Sequence, residues 1–205
     1  MHRRSLGPVR ALLRLSEAID RLTDWVGQLS VGLVVLTIAI SFYNVLVRYV
    51  GRFIGLQLSS NVLIELQWYL FAILFLLGFA YILKHDQNVR VDFWYAHWSD
   101  RRRTWVNLLG TLLFLIPFCI LGLYVTFNPV LASWGRLPDG TWGPWEVSSD
   151  ANGLPRAPIK AMVLVGLALL LLQAISQSIK YTAVLLGYNT VTEQIQQDTE
   201  QLPYE

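Results

Sequence analysis

Histidine and cysteine are scarce in this chain of 205 residues, which contains three histidines and one cysteine. A single cysteine, Cys119, excludes an intrachain disulfide and dithiol redox chemistry. It lies within an apolar run and reads as a small buried hydrophobe. His2, His85 and His97 lie outside the long apolar runs, so no pair of them can hold a haem within a membrane span. The motifs H-E-x-x-H, G-x-S-x-G and the phosphate-binding lysine loop are missing. No enzymatic activity and no cofactor or metal is therefore expected. Charge is scarce too: charged residues make up 15% of the chain, against about 25% in soluble domains. The formal net charge of +2 gives no reason to expect a nucleic-acid partner.

Apolar residues dominate. Hydrophobic residues make up 54% and mean hydropathy is +0.45. The eight tryptophans and nine tyrosines flank several apolar runs, as aromatic belts do at membrane interfaces. Four stretches, at about 25–47, 62–83, 104–127 and 159–181, are long enough to cross roughly 30 Å of hydrocarbon. The expected fold is an all-α integral membrane protein with four transmembrane helices. No cleavable leader is evident, so the first span is expected to be retained.

Residues 1–24 form a basic arm in which Val9, Leu12, Leu13, Ile19, Leu22 and Val26 recur near the helical period. Two readings are open: an amphipathic helix in the headgroup plane, or the solvated start of span 1. In span 1, Thr37, Ser41, Asn44 and Arg48 form one stripe, which lipid cannot satisfy and which should face protein. For Thr37 and Ser41 a bond to their own helix carbonyls is the alternative. After span 2, Val91, Trp94, Tyr95 and Trp98 share a face, predicting a short interfacial helix. Pro117 should kink span 3. The segment 128–158 has five prolines, four glycines and three tryptophans, and Pro138-Asp139-Gly140 signals a turn. With Trp134, Trp142 and Trp145 it should be ordered. Gln173, Ser176, Gln177 and Lys180 place a polar stripe near the end of span 4. The tail, 186–205, has no Lys or Arg and reads as a mobile or short helical solvated segment.

Lys and Arg counts set the topology. The N-terminal arm and the loop between spans 2 and 3 carry five each, against two between spans 1 and 2 and three in 128–160. Both termini are thus expected in the cytoplasm and the Trp-rich segment outside. Glu65, about a turn inside the outer end of span 2, is the main chemical candidate. Its expected partner is Arg48; the alternatives are snorkelling to water and a transport site. Arg90 and Asp92 read either as ordinary interfacial charge or as a fixed turn.

The residues also resemble a known family, the small DctQ-like membrane subunit of tripartite ATP-independent periplasmic (TRAP) transporters. Glu65-Leu66-Gln67-Trp68-Tyr69-Leu70-Phe71 and Phe75-Leu76-Leu77-Gly78-Phe79-Ala80-Tyr81 are similar to its second-span signature. Asn88-Val89-Arg90-Val91-Asp92 resembles its His-Val-Arg-Val-Asp motif, with Asn88 in place of histidine. Glu146-Val147-Ser148, Gly153-Leu154-Pro155 and Lys160 resemble a segment of one branch, with Ser149 and Ala151 where that branch often has prolines. The resemblance implies a bacterial inner-membrane scaffold beside a large multi-span subunit that moves organic acids with sodium. A periplasmic binding protein would deliver the substrate. Arg48, Glu65, Asn88, Arg90, Asp92, Trp142, Trp145 and Lys160 are the expected structural or partner contacts. The competing readings are a small homodimeric antiporter using Glu65 and a non-catalytic anchor of a membrane enzyme.

Overall fold

The computed structural model of the chain describes residues 6–56, 58, 60–87 and 97–188, with side chains from residue 11 onward. The expected interfacial helix, the Asn88, Arg90 and Asp92 assignments and the acidic tail beyond residue 188 lie outside the described residues.

Four helical stretches are long and apolar enough to cross a membrane. They are α1 (Leu6–Ile54), α2 (Asn61–Lys84), a continuous run Asp100–Ser133, and α5 (Arg156–Leu185). The third consists of α3 (Asp100–Gly110), a π-helical turn (Thr111–Leu115) and α4 (Ile116–Ser133). Among the described residues β-structure is limited to two isolated bridges.

All four stretches stop in the same way. A residue with positive φ follows the last turn, and the next N–H bonds back to a carbonyl five residues earlier. The four bonds are Leu56 to Gly51 (2.9 Å), Gln87 to Ile82 (3.1 Å), Arg136 to Leu131 (3.1 Å) and Tyr188 to Ala183 (3.2 Å). The left-handed residue is Gly55, Gly135 or Gly187 in three cases and Asp86 in the fourth.

Several boundaries differ from the sequence expectation. No break falls at Trp25. Residues 6–24 of the basic arm form the first turns of α1, the second of the two readings left open for it, and the helix has 49 residues. The third stretch continues through Pro129 to Ser133, so residues 128–133 are helix and not loop. Before Pro117 the helix widens into the π turn, where Ile116 N–H bonds Thr111 O. A proline lacks an N–H and its ring crowds the carbonyl four residues back. A π turn immediately ahead of it accommodates both.

The chain divides into two compact units. One comprises α1 up to Val26, the segment Phe79–Gly122, and α5 from Ala168. Its interior is strongly polar: Ser16, Asp20, Thr23, Lys84, Gln173, Ser176, Gln177 and Lys180 are buried with Ile19, Val26, Ala80, Leu108 and Cys119. The other comprises Gly27–Gly78 and Leu123–Leu167. It buries Glu65, Tyr69, Leu70, Leu77, Val130, Ser133 and Ala157. Gly166 of α5 lets Leu76 of α2 approach so closely that an added Cβ would sit 3.0 Å from the Leu76 carbonyl oxygen.

Candidate functional site

The Glu65 site is built on one face of α2. Asn61, Glu65 and Tyr69 recur every fourth residue and so lie one above another. Each grips the segment 148–155. The Asn61 amide donates to Ala151 O at 3.1 Å. The two carboxylate oxygens of Glu65 accept from Ser148 Oγ and from the Leu154 backbone N–H. The Tyr69 hydroxyl donates to Pro155 O at 3.2 Å. Glu65 is 3% exposed. A carboxylate with both oxygens bound by donors is held in place through charge-assisted hydrogen bonds.

The gripped segment is shaped to fit. Val147 and Pro155 form an antiparallel bridge, and Ser148 N–H bonds Leu154 O at 3.3 Å. Asn152 takes a left-handed φ of 58° in the turn between them. Gly153 packs against the carboxylate: an added Cβ would lie 2.4 Å from Ser148 Cβ and 2.9 Å from Glu65 Oε1. Glu146 N–H bonds Ser133 O, and Arg156 N–H bonds Glu146 O, both at 2.9 Å. These bonds join the segment to the end of α4 and the start of α5. Lys160 Nζ lies 2.5 Å from Glu146 Oε2.

A small hairpin precedes the clamp. Arg136 pairs with Trp142 across the Pro138-Asp139-Gly140 turn. The Asp139 carboxylate accepts from both the hydroxyl (2.7 Å) and the N–H (3.0 Å) of Thr141. Those bonds lower the Asp139 pKa below the usual carboxylate value. Trp145 packs edge-on against Trp134, with ring centroids 5.1 Å apart. Trp142 and Trp145 remain 65% and 53% exposed, and Leu137 and Val147 are exposed beside them in sequence. The expectation of an ordered Trp-rich segment is met.

The expected Glu65–Arg48 pair is corrected. Arg48 is exposed near the end of α1, and among the described residues no ion pair joins the two. Glu65 is satisfied by Ser148 and Leu154, which follow it by more than 80 residues. Lys160, also expected as a structural or partner contact, pairs with Glu146. The stripe on α1 does face protein in part: Thr37, Ser41 and Asn44 are half-buried. Thr37 bonds its own helix at Leu33 O (2.7 Å), the alternative foreseen for it.

The other unit contains a polar network that joins α1 to α2 and α5. Asp20 and Asp24 sit one turn apart on α1. Asp20 binds Lys180 at 2.6 Å and accepts from Gln173 Nε2 (3.0 Å) and Ser176 Oγ (2.9 Å), all on α5. Asp24 binds Lys84, the last residue of α2, at 2.6 Å, and His85 Nε2 stands 3.6 Å away. Thr23 Oγ1 donates to Gln173 Oε1 at 2.7 Å, and the hydroxyls of Ser16 and Ser176 lie 2.6 Å apart. Gln177 Nε2 caps the Lys84 carbonyl at 3.1 Å. The span 4 stripe found in the sequence is therefore one half of this network. Its signal on α1 is Ser16, Asp20, Thr23 at helical spacing.

Among the described residues no cluster of three or more metal-binding side chains occurs. The architecture and these internal polar contacts define a four-span α-helical membrane protein whose buried Asp20, Glu65, Lys84 and Lys180 are engaged with other side chains or with backbone. A family model described as "Tripartite ATP-independent periplasmic transporters, DctQ component" matches residues 37–183. The chain belongs to this family, the small permease component of TRAP transporters. Comparison with curated proteins and with solved structures returned no match.

Proposed function

We propose that this chain is the scaffold subunit of a sodium-coupled, binding-protein-dependent importer of organic acids. It braces the large moving subunit and offers the Trp-rich segment to the periplasmic binding protein. Membership of the family makes it the small subunit of a TRAP transporter. Family members work beside a large membrane subunit and a binding protein. The substrate class, the sodium coupling and the docking contact are the proposal, as is an inner-membrane location with both termini in the cytoplasm. That orientation rests on the Lys and Arg counts.

The observation that carries the scaffold reading is the engagement of the embedded acids. Asp20 has Lys180, Asp24 has Lys84, and Glu65 has Ser148 and Leu154 N–H. An acid that carries a proton or cation must exchange partners with each cycle. Glu65 instead holds a loop, which argues against the antiporter reading. A large apolar surface is left over. On α1 none of the most apolar window is buried, and Val31, Val35, Ile38, Phe42, Tyr49 and Phe53 are exposed. Such a surface suits lipid and a neighbouring subunit together.

The docking half of the proposal rests on exposed aromatics held by a rigid frame, as anchor residues of protein interfaces are. Replacing Trp142 and Trp145 by alanine should leave the membrane complex intact on gel filtration. It should reduce binding-protein-dependent uptake by tenfold or more in reconstituted vesicles. Unchanged uptake would remove the docking role and leave the scaffold role standing.

A further inference from the structure

An apolar groove of about 320 Å³ runs along the Asp20 unit, lined by Leu12 of α1, Leu108 to Ile116 of the third stretch, and Ile175 to Leu186 of α5. Its volume is at the small end of ligand pockets, which run from roughly 300 to 1,000 Å³. Two hydroxyls reach its wall, and both are turned to their own helix. Ser178 donates to Ala174 O at 2.8 Å and Thr182 to Ser178 O at 2.7 Å. The lining therefore offers no free donor hydrogen to a polar ligand. The π turn contributes Leu112 and is exposed on its other side through Leu113 and Phe114.

The charge at the groove's mouth identifies an occupant. Arg101 precedes Leu108 by seven residues on α3 and so shares its face, two turns along. Trp105 precedes it by three and is 46% exposed. The order along that face is a cation, an interfacial aromatic and then an apolar slot, matching the order of headgroup, interface and acyl chain in a bilayer leaflet. Arg101 and Arg102 form no ion pair among the described residues, whereas Arg103 lies 3.8 Å from Asp100. We infer that the groove holds one acyl chain of an anionic phospholipid, with its phosphate on Arg101 and Arg102. A helix from the large subunit that sought a free side-chain donor in this groove would find none, because Ser178 and Thr182 are turned to their own helix. The lipid acts as a wedge between α1, α3 and α5 in the leaflet that Arg101 faces.

The test uses the whole membrane complex, delipidated and returned to nanodiscs made from equal parts phosphatidylglycerol and phosphatidylcholine. Lipids surviving detergent release are counted by native mass spectrometry. Wild type should retain one phosphatidylglycerol more than Ser178→Trp, whose indole fills the slot from a half-exposed position. Arg101→Gln/Arg102→Gln should bind the two lipids with less than a twofold difference. Equal counts for wild type and Ser178→Trp would overturn the site. A persisting preference for phosphatidylglycerol in the double variant would overturn the headgroup assignment. A photo-crosslinking amino acid at position 112 gives an independent reading. A phospholipid adduct is expected, and an adduct to the large subunit would replace the lipid by protein and end the proposal.

Discussion

In the unit built around Asp20, charge meets charge, and the contacts run from helix to helix. Asp20 and Asp24, one turn apart on α1, reach Lys180 on α5 and Lys84 at the end of α2. In the unit built around Glu65, an acid meets neutral donors, and the contacts run from helix to loop. Asn61, Glu65 and Tyr69 hold a turn of the segment 148–155. Both arrangements exploit the four-residue repeat of the helix, yet they differ in what fails when they break. Removing one member of a buried ion pair leaves an uncompensated charge between helices. Removing a hydrogen bond to a loop frees the loop and leaves the helices where they are.

The largest expected effect therefore lies at Lys180. Lys180→Met should destabilise the bundle by about 3–5 kcal/mol, because Asp20 loses its cation while Lys180 is 5% and Asp20 12% exposed. Adding Asp20→Asn removes the stranded charge and should restore most of that loss. Thermal unfolding of the four members of this cycle in detergent measures the coupling. Additive losses would show that the pair does not hold α1 to α5.

Gly153→Ala should come next and sharpen the contrast. The new Cβ overlaps Ser148 Cβ and crowds Glu65 Oε1, an overpacking of about 1–3 kcal/mol confined to the clamp. Limited proteolysis should cut faster within residues 134–155 while the melting temperature of the bundle barely moves. Glu65→Ala should give the same cleavage pattern, and Glu65→Gln, which keeps one acceptor, a weaker one. A fall in melting temperature comparable to that of Lys180→Met would break the distinction between the two units.

Thr23→Ala should be smaller. It deletes the bond to Gln173 Oε1, and hydrogen bonds between membrane helices average about 0.6 kcal/mol with a maximum near 1.7. Smallest is the pH response of the hairpin tip. The hydroxyl and N–H of Thr141 lower the Asp139 pKa, so the folded value lies below the unfolded value of 3.8. Their contribution is fully present above the unfolded value and disappears as pH falls through the folded one. The Thr141 amide resonance should hold constant down to about pH 4 and move only at lower pH. A shift near neutral pH would contradict the assignment.

The four spans, the order of the Trp-rich segment and the stripes on α1 and α5 were legible from length, aromatic density and helical spacing. Glu65 stood out because an acid in an apolar span needs a reason. Its partner did not stand out. A matching cation at the same depth, Arg48, looked sufficient, but a serine hydroxyl and one backbone N–H satisfy a carboxylate as well, and neither leaves a mark in sequence. The N-terminal arm was legible only in part. Its apolar residues recur at helical spacing, which left a helix in the headgroup plane and the start of span 1 both open. In this unit Leu12, Leu15 and Leu22 are exposed, and Ser16, Asp20 and Thr23 are inside. Where lipid is the solvent, the polar face is the one that seeks protein. Pro129 was read as a loop marker, yet the helix runs on through Ser133.

The central claim is that the embedded acids hold the fold together and carry nothing across the membrane. It is tested most directly by reconstituting this chain alone in vesicles and recording proton, sodium and organic-acid flux under an imposed gradient. The account predicts flux equal to that of empty vesicles, and uptake only when the large subunit and the binding protein are both added. Flux through the chain alone that is abolished by Glu65→Gln would contradict it.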